Sequence, residues 1–138
     1  MTAKELWEKS GLTGEYDAWS FGDDKLTELV KSGKKTATAS AYDCYLAEDE
    51  NLPEIGETSV LLNDNDEAVC IIRTSKVYVV PFNEVSEEHA QKEGEGDCSL
   101  AYWRRVHKDF FQKELAEIDK VFDEKMLVVC EEFEVIFE

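Results

Sequence analysis

Three lysines and four hydroxyl side chains gather in one window, Lys31-Ser32-Gly33-Lys34-Lys35-Thr36-Ala37-Thr38-Ala39-Ser40. The chain carries 32 acidic residues, yet none falls between Glu28 and Asp43. Lysine beside serine or threonine suits two chemistries. It can hold an anion, or it can activate a hydroxyl as a nucleophile when burial depresses the amine's pKa. A solvated helix end followed by an ordinary strand would give the same residues, because charge runs commonly just face water.

A second cationic island is Tyr102, Trp103, Arg104, Arg105, His107 and Lys108. Arginine beside an aromatic ring suits phosphate contact with base stacking. The alternative is that Trp103 is core and that the arginines pair with the chain's own carboxylates. On a helix Arg105 also pairs with Asp109 at i,i+4. His107 titrates near neutrality and is an acid-base candidate, whereas His89 marks a helix position. Glu93 and Glu95 flank Gly94, with Asp97 nearby. That carboxylate pair could serve Lys35 or a divalent metal, while Asp97 is read as a helix cap. Trp19, Phe21 and Asp23 precede the lysine window. Trp19 and Phe21 read as core, with lining for a base as the alternative. Ser40 and Tyr42 follow and could line a cleft.

The rest of the chain bounds these options. Its 138 residues fit one domain spanning 1–138, with 43% hydrophobic and 11% aromatic residues. A net charge of −17 works against general attraction to nucleic acid or an anionic membrane. Nucleic-acid contact would therefore be local, through a basic patch, or limited to one nucleoside. Cys44, Cys70, Cys98 and Cys130 form no short-spaced pair, so no zinc or redox motif is expected. They read as free thiols in a reducing cytosol. The acidic run Asn63-Asp64-Asn65-Asp66-Glu67 lacks the glycine and distal glutamate of a calcium loop. No metal or cofactor is expected. The charged start Met1-Thr2-Ala3-Lys4-Glu5 does not read as a signal peptide, and no apolar run has the length of a membrane span. A cytoplasmic location is the expectation.

The elements that must position the candidates follow from local signals. Thr2-Ala3-Lys4-Glu5 is a capping box for a helix that stops at Gly11. Trp19 to Asp24 offers a turn and a new N-cap. Leu26, Leu29 and Val30 have helical spacing, and Gly33 ends that helix. Thr36 to Ser40 reads as strand. Thr58–Leu62 and Ala68–Ile72 flank the acidic turn as a hairpin, and strand continues from Lys76 to Val80. Phe82 to Gln91 reads as helix, with Phe82, Val85 and Ala90 inward. Asp97 caps a helix from about Ser99 to Ile118, whose stripe includes Leu100, Trp103, Val106 and Phe110. Met126 to Phe137 reads as strand. Mixed strands and helices without regular alternation predict an α+β fold with a curved or closed sheet.

Several blocks in this order resemble the ASCH domain family. They are Trp19-Ser20-Phe21-Gly22-Asp23, Gly33-Lys34-Lys35-Thr36-Ala37-Thr38, and Pro81-Phe82 through His89-Ala90. Glu93-Gly94-Glu95-Gly96-Asp97, Ser99-Leu100, Tyr102-Trp103-Arg104-Arg105 and His107 complete the match. The resemblance implies a PUA-like small β-barrel with flanking helices and a cleft beside the Gly-Lys-Lys-Thr block. It also implies RNA-related function. One branch hydrolyses the amide of N4-acetylcytidine, and some members are reported as ribonucleases. That branch's lysine, threonine and glutamate fall on Lys35, Thr38 and Glu93. Its arginine two residues after the threonine is replaced here by Ser40. The resemblance thus implies a hydrolase of a modified nucleoside or small amide. An RNA-binding or RNA-cleaving module, or a non-catalytic nucleotide-like ligand sensor, are the alternatives. Lys34, Thr36, Ser40, Tyr42, Trp19, Arg104, Arg105 and His107 are the expected binding residues.

One geometric condition attaches to this set. Residues an odd number apart in a flat strand point to opposite faces. Lys35 and Thr38 can share a site only if Lys35 sits before the strand or a bulge redirects one side chain.

Overall fold

The computed structural model describes residues 1–138. Thr2 caps helix α1 (Ala3–Ser10) reciprocally with Glu5, and Gly11 ends it in a left-handed conformation. Strand β1 (Asp17–Ser20) follows, then helix α2 (Asp24–Lys31), capped by the Asp23 side chain. Strand β2 (Ala37–Ala41) runs directly into helix α3 (Tyr42–Ala47). Strands β3 (Thr58–Leu62) and β4 (Ala68–Pro81) form the expected hairpin. Its turn is held by Asn63, whose Oδ1 accepts from the Asn65 and Glu67 backbone amides. Helices α4 (Glu87–Glu93) and α5 (Leu100–Ala116) precede the last strand, β5 (Leu127–Phe137).

The five strands form one curled, half-barrel sheet in the order β1-β3-β4-β5-β2, matching the α+β PUA-like expectation. Only the β1–β3 pairing is parallel. The barrel is open: β1 and β2 are its edges. The β4–β5 pairing shifts twice, with Ile136 the extra residue on β5 opposite Ile71 and Ile72, and Ser75 the extra residue on β4 between Thr74 and Lys76. Bulges bend a strand and increase its twist, which lets one long hairpin arm serve two core regions. Phe82, Trp103, Phe111 and Leu115 pack with Val128 and Cys130 under the helices. Val30, Leu61, Cys70, Ile72 and Phe133 form a second cluster, against which Trp19 and Phe21 lie. Leu6 and Trp7 of α1 close a third over Val60 and Ile71.

Several local expectations change. The segment Phe82 to Gln91 is not one helix. A 3-10 turn spans Phe82–Glu84, Val85 is extended, and Ser86 then caps α4 by accepting from the His89 amide. Phe82, Val85 and Ala90 are nonetheless all buried. The cap of α5 is Ser99, whose hydroxyl accepts from the Tyr102 amide. Asp97 instead accepts from the Ser99 amide, two residues before the cap. Asp109 pairs with Lys113 at 3.2 Å, so it follows the i,i+4 rule in the direction away from Arg105. Trp19 and Ser20, at the start of the expected turn, belong to edge strand β1, and α3 has no counterpart among the expected elements.

All four cysteines are free. No helix is long and apolar enough to cross a membrane.

Candidate functional site

Lys35 lies between the end of α2 and the first residue of β2, where the backbone is tied on three sides. The Lys34 and Lys35 amides both donate to the Leu29 carbonyl at 3.0 Å. The Thr36 amide donates to the Lys92 carbonyl at 2.7 Å, and the Phe133 amide donates to the Thr36 carbonyl at 3.0 Å. This short link therefore bridges α2, α4 and β5. Gly94 makes the approach possible: its φ is +68°, and a Cβ there would collide with the Lys34 carbonyl oxygen.

The Lys35 side chain, 2% exposed, turns into the protein. Its Nζ donates to Glu93 Oε1 at 3.1 Å and to Glu95 Oε2 at 2.9 Å. It also sits 5.5 Å from the centroid of the Phe21 ring. Glu93, 1% exposed, gathers the rest of the network. His89 Nε2 lies 2.7 Å from Glu93 Oε2, and the Trp103 indole N–H donates to the same oxygen. His107 Nε2 lies 3.5 Å from Glu93 Oε1. His107 donates through Nδ1 to the Trp103 carbonyl at 2.9 Å and stacks on the Trp103 ring.

Burial alone would raise the Glu93 pKa. Hydrogen bonds from His107 and His89 and the Lys35 charge outweigh it and hold the carboxyl well below its ordinary value of 4.5. Glu93 is thus an ionised, multiply bonded hub. Glu93, Glu95 and His107 lie close enough to bind one metal ion, but the Lys35 ammonium already bridges the two carboxylates.

Lys35 does precede the strand, yet the structure does not bring Lys35 and Thr38 into one site. Regular strand begins at Ala37, after Lys35. Thr38 is directed elsewhere, into a cleft of about 890 Å³ between the two sheet edges. That cleft is lined by Trp19, Phe21, Thr38, Ser40, Tyr45 and Glu131, among others. Phe21 belongs to both places: it forms part of the cleft wall and faces the Lys35 ammonium. Trp19 and Phe21 meet edge to face at 4.8 Å, so they are both core-packed and ligand-accessible. Ser40 and Tyr45 share a hydrogen bond of 2.8 Å. Tyr45, not Tyr42, is the tyrosine of this cleft, because Tyr42 opens α3 and Tyr45 lies almost one turn further on.

The remaining candidates lie apart from the cleft wall. Lys34 is exposed, and the Thr36 hydroxyl points to the Lys92 carbonyl at 3.4 Å. Arg104 donates to the Asn83 carbonyl at 3.1 Å, and the Arg105 guanidinium lies 5.3 Å over the Tyr102 ring. Both arginines are exposed and neither pairs with a carboxylate. Trp103 is core, as expected, but its indole also serves Glu93. His89, which the sequence marks only as a helix position, is a direct partner of Glu93. Its i,i+4 spacing from Glu93 on one helix was the available signal.

The ASCH domain family model matches residues 17–137. A crystal structure of an ASCH domain from Lactobacillus crispatus is similar, with a TM-score of 0.92 at 30% identity, covering 98% of this chain and 94% of that one. A crystal structure of a protein from Enterococcus faecalis has a TM-score of 0.86 at 40% identity, covering 97% of this chain and 85% of that one. Coverage of that extent includes the N-terminal helix, which precedes the residues of the family match. No curated protein matches the chain.

Proposed function

Because the chain belongs to the ASCH domain family, we propose that it hydrolyses a modified nucleoside or similar small amide, with N4-acetylcytidine as the reference substrate. The observation that carries this reading is the joining of two groups through Phe21. Thr38 lines a cleft large enough for a nucleoside, and the ring that walls it also covers the Lys35 ammonium. Thr38 is the nucleophile for the amide carbon. Glu93 and Glu95 hold the Lys35 ammonium against the Phe21 ring, outside the cleft lining, so Lys35 acts as a fixed positive charge behind that wall and not as a free amine. A positioned cation stabilises charge that develops on an oxygen during acyl transfer. Trp19 offers an apolar face for a base.

The cleft wall favours an uncharged ligand over a polyanion. It includes Asp17, Asp49, Glu50, Glu57 and Glu131 and no lysine, arginine or histidine. Phosphates would meet repulsion there. The exposed cations Lys34, Arg104 and Arg105 would have to serve RNA from outside the cleft.

Turnover of N4-acetylcytidine, followed by chromatography, tests the reading. The parent should release cytidine and acetate. Thr38→Ala should abolish turnover, and Lys35→Ala should lower it. Absence of product from the parent at high enzyme concentration would retire the hydrolase reading for this substrate. RNA binding that weakens steeply with added salt would then favour the nucleic-acid reading.

A further inference from the structure

We infer that Glu131 is the base that takes the proton from the Thr38 hydroxyl in the cleft. This rests on the reading of Thr38 as nucleophile and supplies what that reading lacks. An ammonium has three donors and no acceptor, and the Lys35 ammonium is already committed to Glu93 and Glu95. A different group must accept the proton.

The sheet register supplies one. Thr38 of β2 pairs with Glu131 of β5 in an antiparallel ladder. Directly opposed residues project from the same face, with Cβ atoms about 4.5–5.5 Å apart. Both residues line the same cleft. From that spacing a glutamate carboxylate reaches a threonine hydroxyl directly or through one water. The Thr74 hydroxyl donates to Glu131 Oε2 at 2.6 Å and fixes that oxygen. Oε1 is left for the cleft.

The chemical environment suits a base. Burial pushes the Glu131 pKa up; the Thr74 hydrogen bond opposes this, and the Glu57 charge adds to it. A carboxylate raised toward the working pH accepts a proton more readily than an ordinary one. Tyr45 of α3, Asp49 and Glu50 after it, Glu57 before β3, and Asp17 of β1 are the other titratable groups that line this cleft.

The step balances as follows. The Thr38 Oγ1 bonds to the amide carbonyl carbon, its proton moves to Glu131, and the carbonyl π pair moves to oxygen. Collapse re-forms the carbonyl and breaks the carbon–nitrogen bond, and the amine leaves with the proton from Glu131. Water repeats the sequence on the acyl-threonine ester. It releases the carboxylic acid and restores Thr38.

A small activated ester separates this inference from the choice of natural substrate. The full chain is incubated with p-nitrophenyl acetate, quenched in acid, and the acetyl group on the Thr38 peptide is measured by mass spectrometry. The parent should acquire the label at Thr38. Glu131→Gln keeps the side-chain length and an oxygen for Thr74, and should slow labelling by at least about 100-fold. Glu131→Asp keeps the charge but withdraws it by one methylene, and should label at an intermediate rate. It serves as the test if the glutamine variant does not fold. Equal Thr38 labelling in the parent and in either folded variant would overturn the role of Glu131 and leave Thr38 as nucleophile. No label at Thr38 in the parent would overturn both.

Discussion

Two carboxylates on neighbouring parts of this molecule show opposite treatments of the same functional group. Glu93 lies at the end of α4 and is 1% exposed, with partners on Lys35, His89, Trp103 and His107. Glu131 lies on β5 at the cleft, half-buried, with one hydrogen bond from Thr74. Burial raises the pKa of both groups. At Glu93 the partners reverse the effect, and at Glu131 they do not. A fully bonded buried charge holds a structure in register, whereas an underbonded one retains reactivity. Under the proposed mechanism, Glu93 holds Lys35 in place and Glu131 takes the proton.

The strongest way to break the contrast is to remove Glu93. Glu93→Ala leaves the Lys35 ammonium with Glu95 alone and the Trp103 and His89 donors without their acceptor. Loss of one partner from a buried pair costs about 3–5 kcal/mol, so urea denaturation should show a loss of that size. The pH dependence has a definite sign. The folded-state pKa of Glu93 lies below the ordinary 4.5, so its contribution is present above that value and declines as pH falls through the folded pKa. The parent should therefore lose stability below about pH 4.5, and the Glu93→Ala protein should lose less over that range.

Gly94→Ala attacks the same network from the backbone. A left-handed alanine costs about 1–2 kcal/mol, and its Cβ would also strike the Lys34 carbonyl oxygen. Thermal unfolding should show a loss of at least about 2 kcal/mol. Any displacement of Lys34 carries Lys35 with it, so the variant should lose N4-acetylcytidine turnover out of proportion to its loss of fold. A variant with parental stability and turnover would show that the α2–β2 link does not need its close approach to α4.

How much of this could be read from the chain depended on range. Thr2, Glu5 and Gly11 define α1 because capping is local, and the hairpin around Asn63 is likewise a local signal. The meeting of Lys35 with Glu93 came from the family resemblance, since 58 residues separate them and no periodicity links them. Strand β1 was missed because four residues with three exposed offer no alternation. Helix α3 was missed because six residues span less than two turns and Ala41 gives no side-chain cap. Ser86 was passed over as a cap because Phe82, Val85 and Ala90 mimic one continuous helical stripe across the 3-10 turn. The place of Glu131 in the cleft is a long-range property. Its parity on β5 was legible, but its partner across the sheet was set by the pairing of β2 with β5, which joins distant segments.

The smallest expected effect gives the finest test of the contrast, because it has the opposite sign from that of Glu93. Burial raises the folded-state pKa of Glu131 above 4.5, so the folded protein holds its proton to higher pH than the unfolded chain does. Between the two pKa values the native state binds more protons, and stability falls as pH rises through that window. Above it the ionised carboxylate carries its full burial penalty. Glu131→Gln removes that penalty while keeping an oxygen for Thr74. The variant should match the parent in stability at acid pH and exceed it slightly at neutral pH, while losing Thr38 labelling. Stability and activity then move in opposite directions at one residue, as expected where a site holds an underbonded charge for its chemistry. If Glu131→Gln instead destabilised the fold at neutral pH, Glu131 would belong with Glu93 as scaffold, and the division between the two carboxylates would collapse.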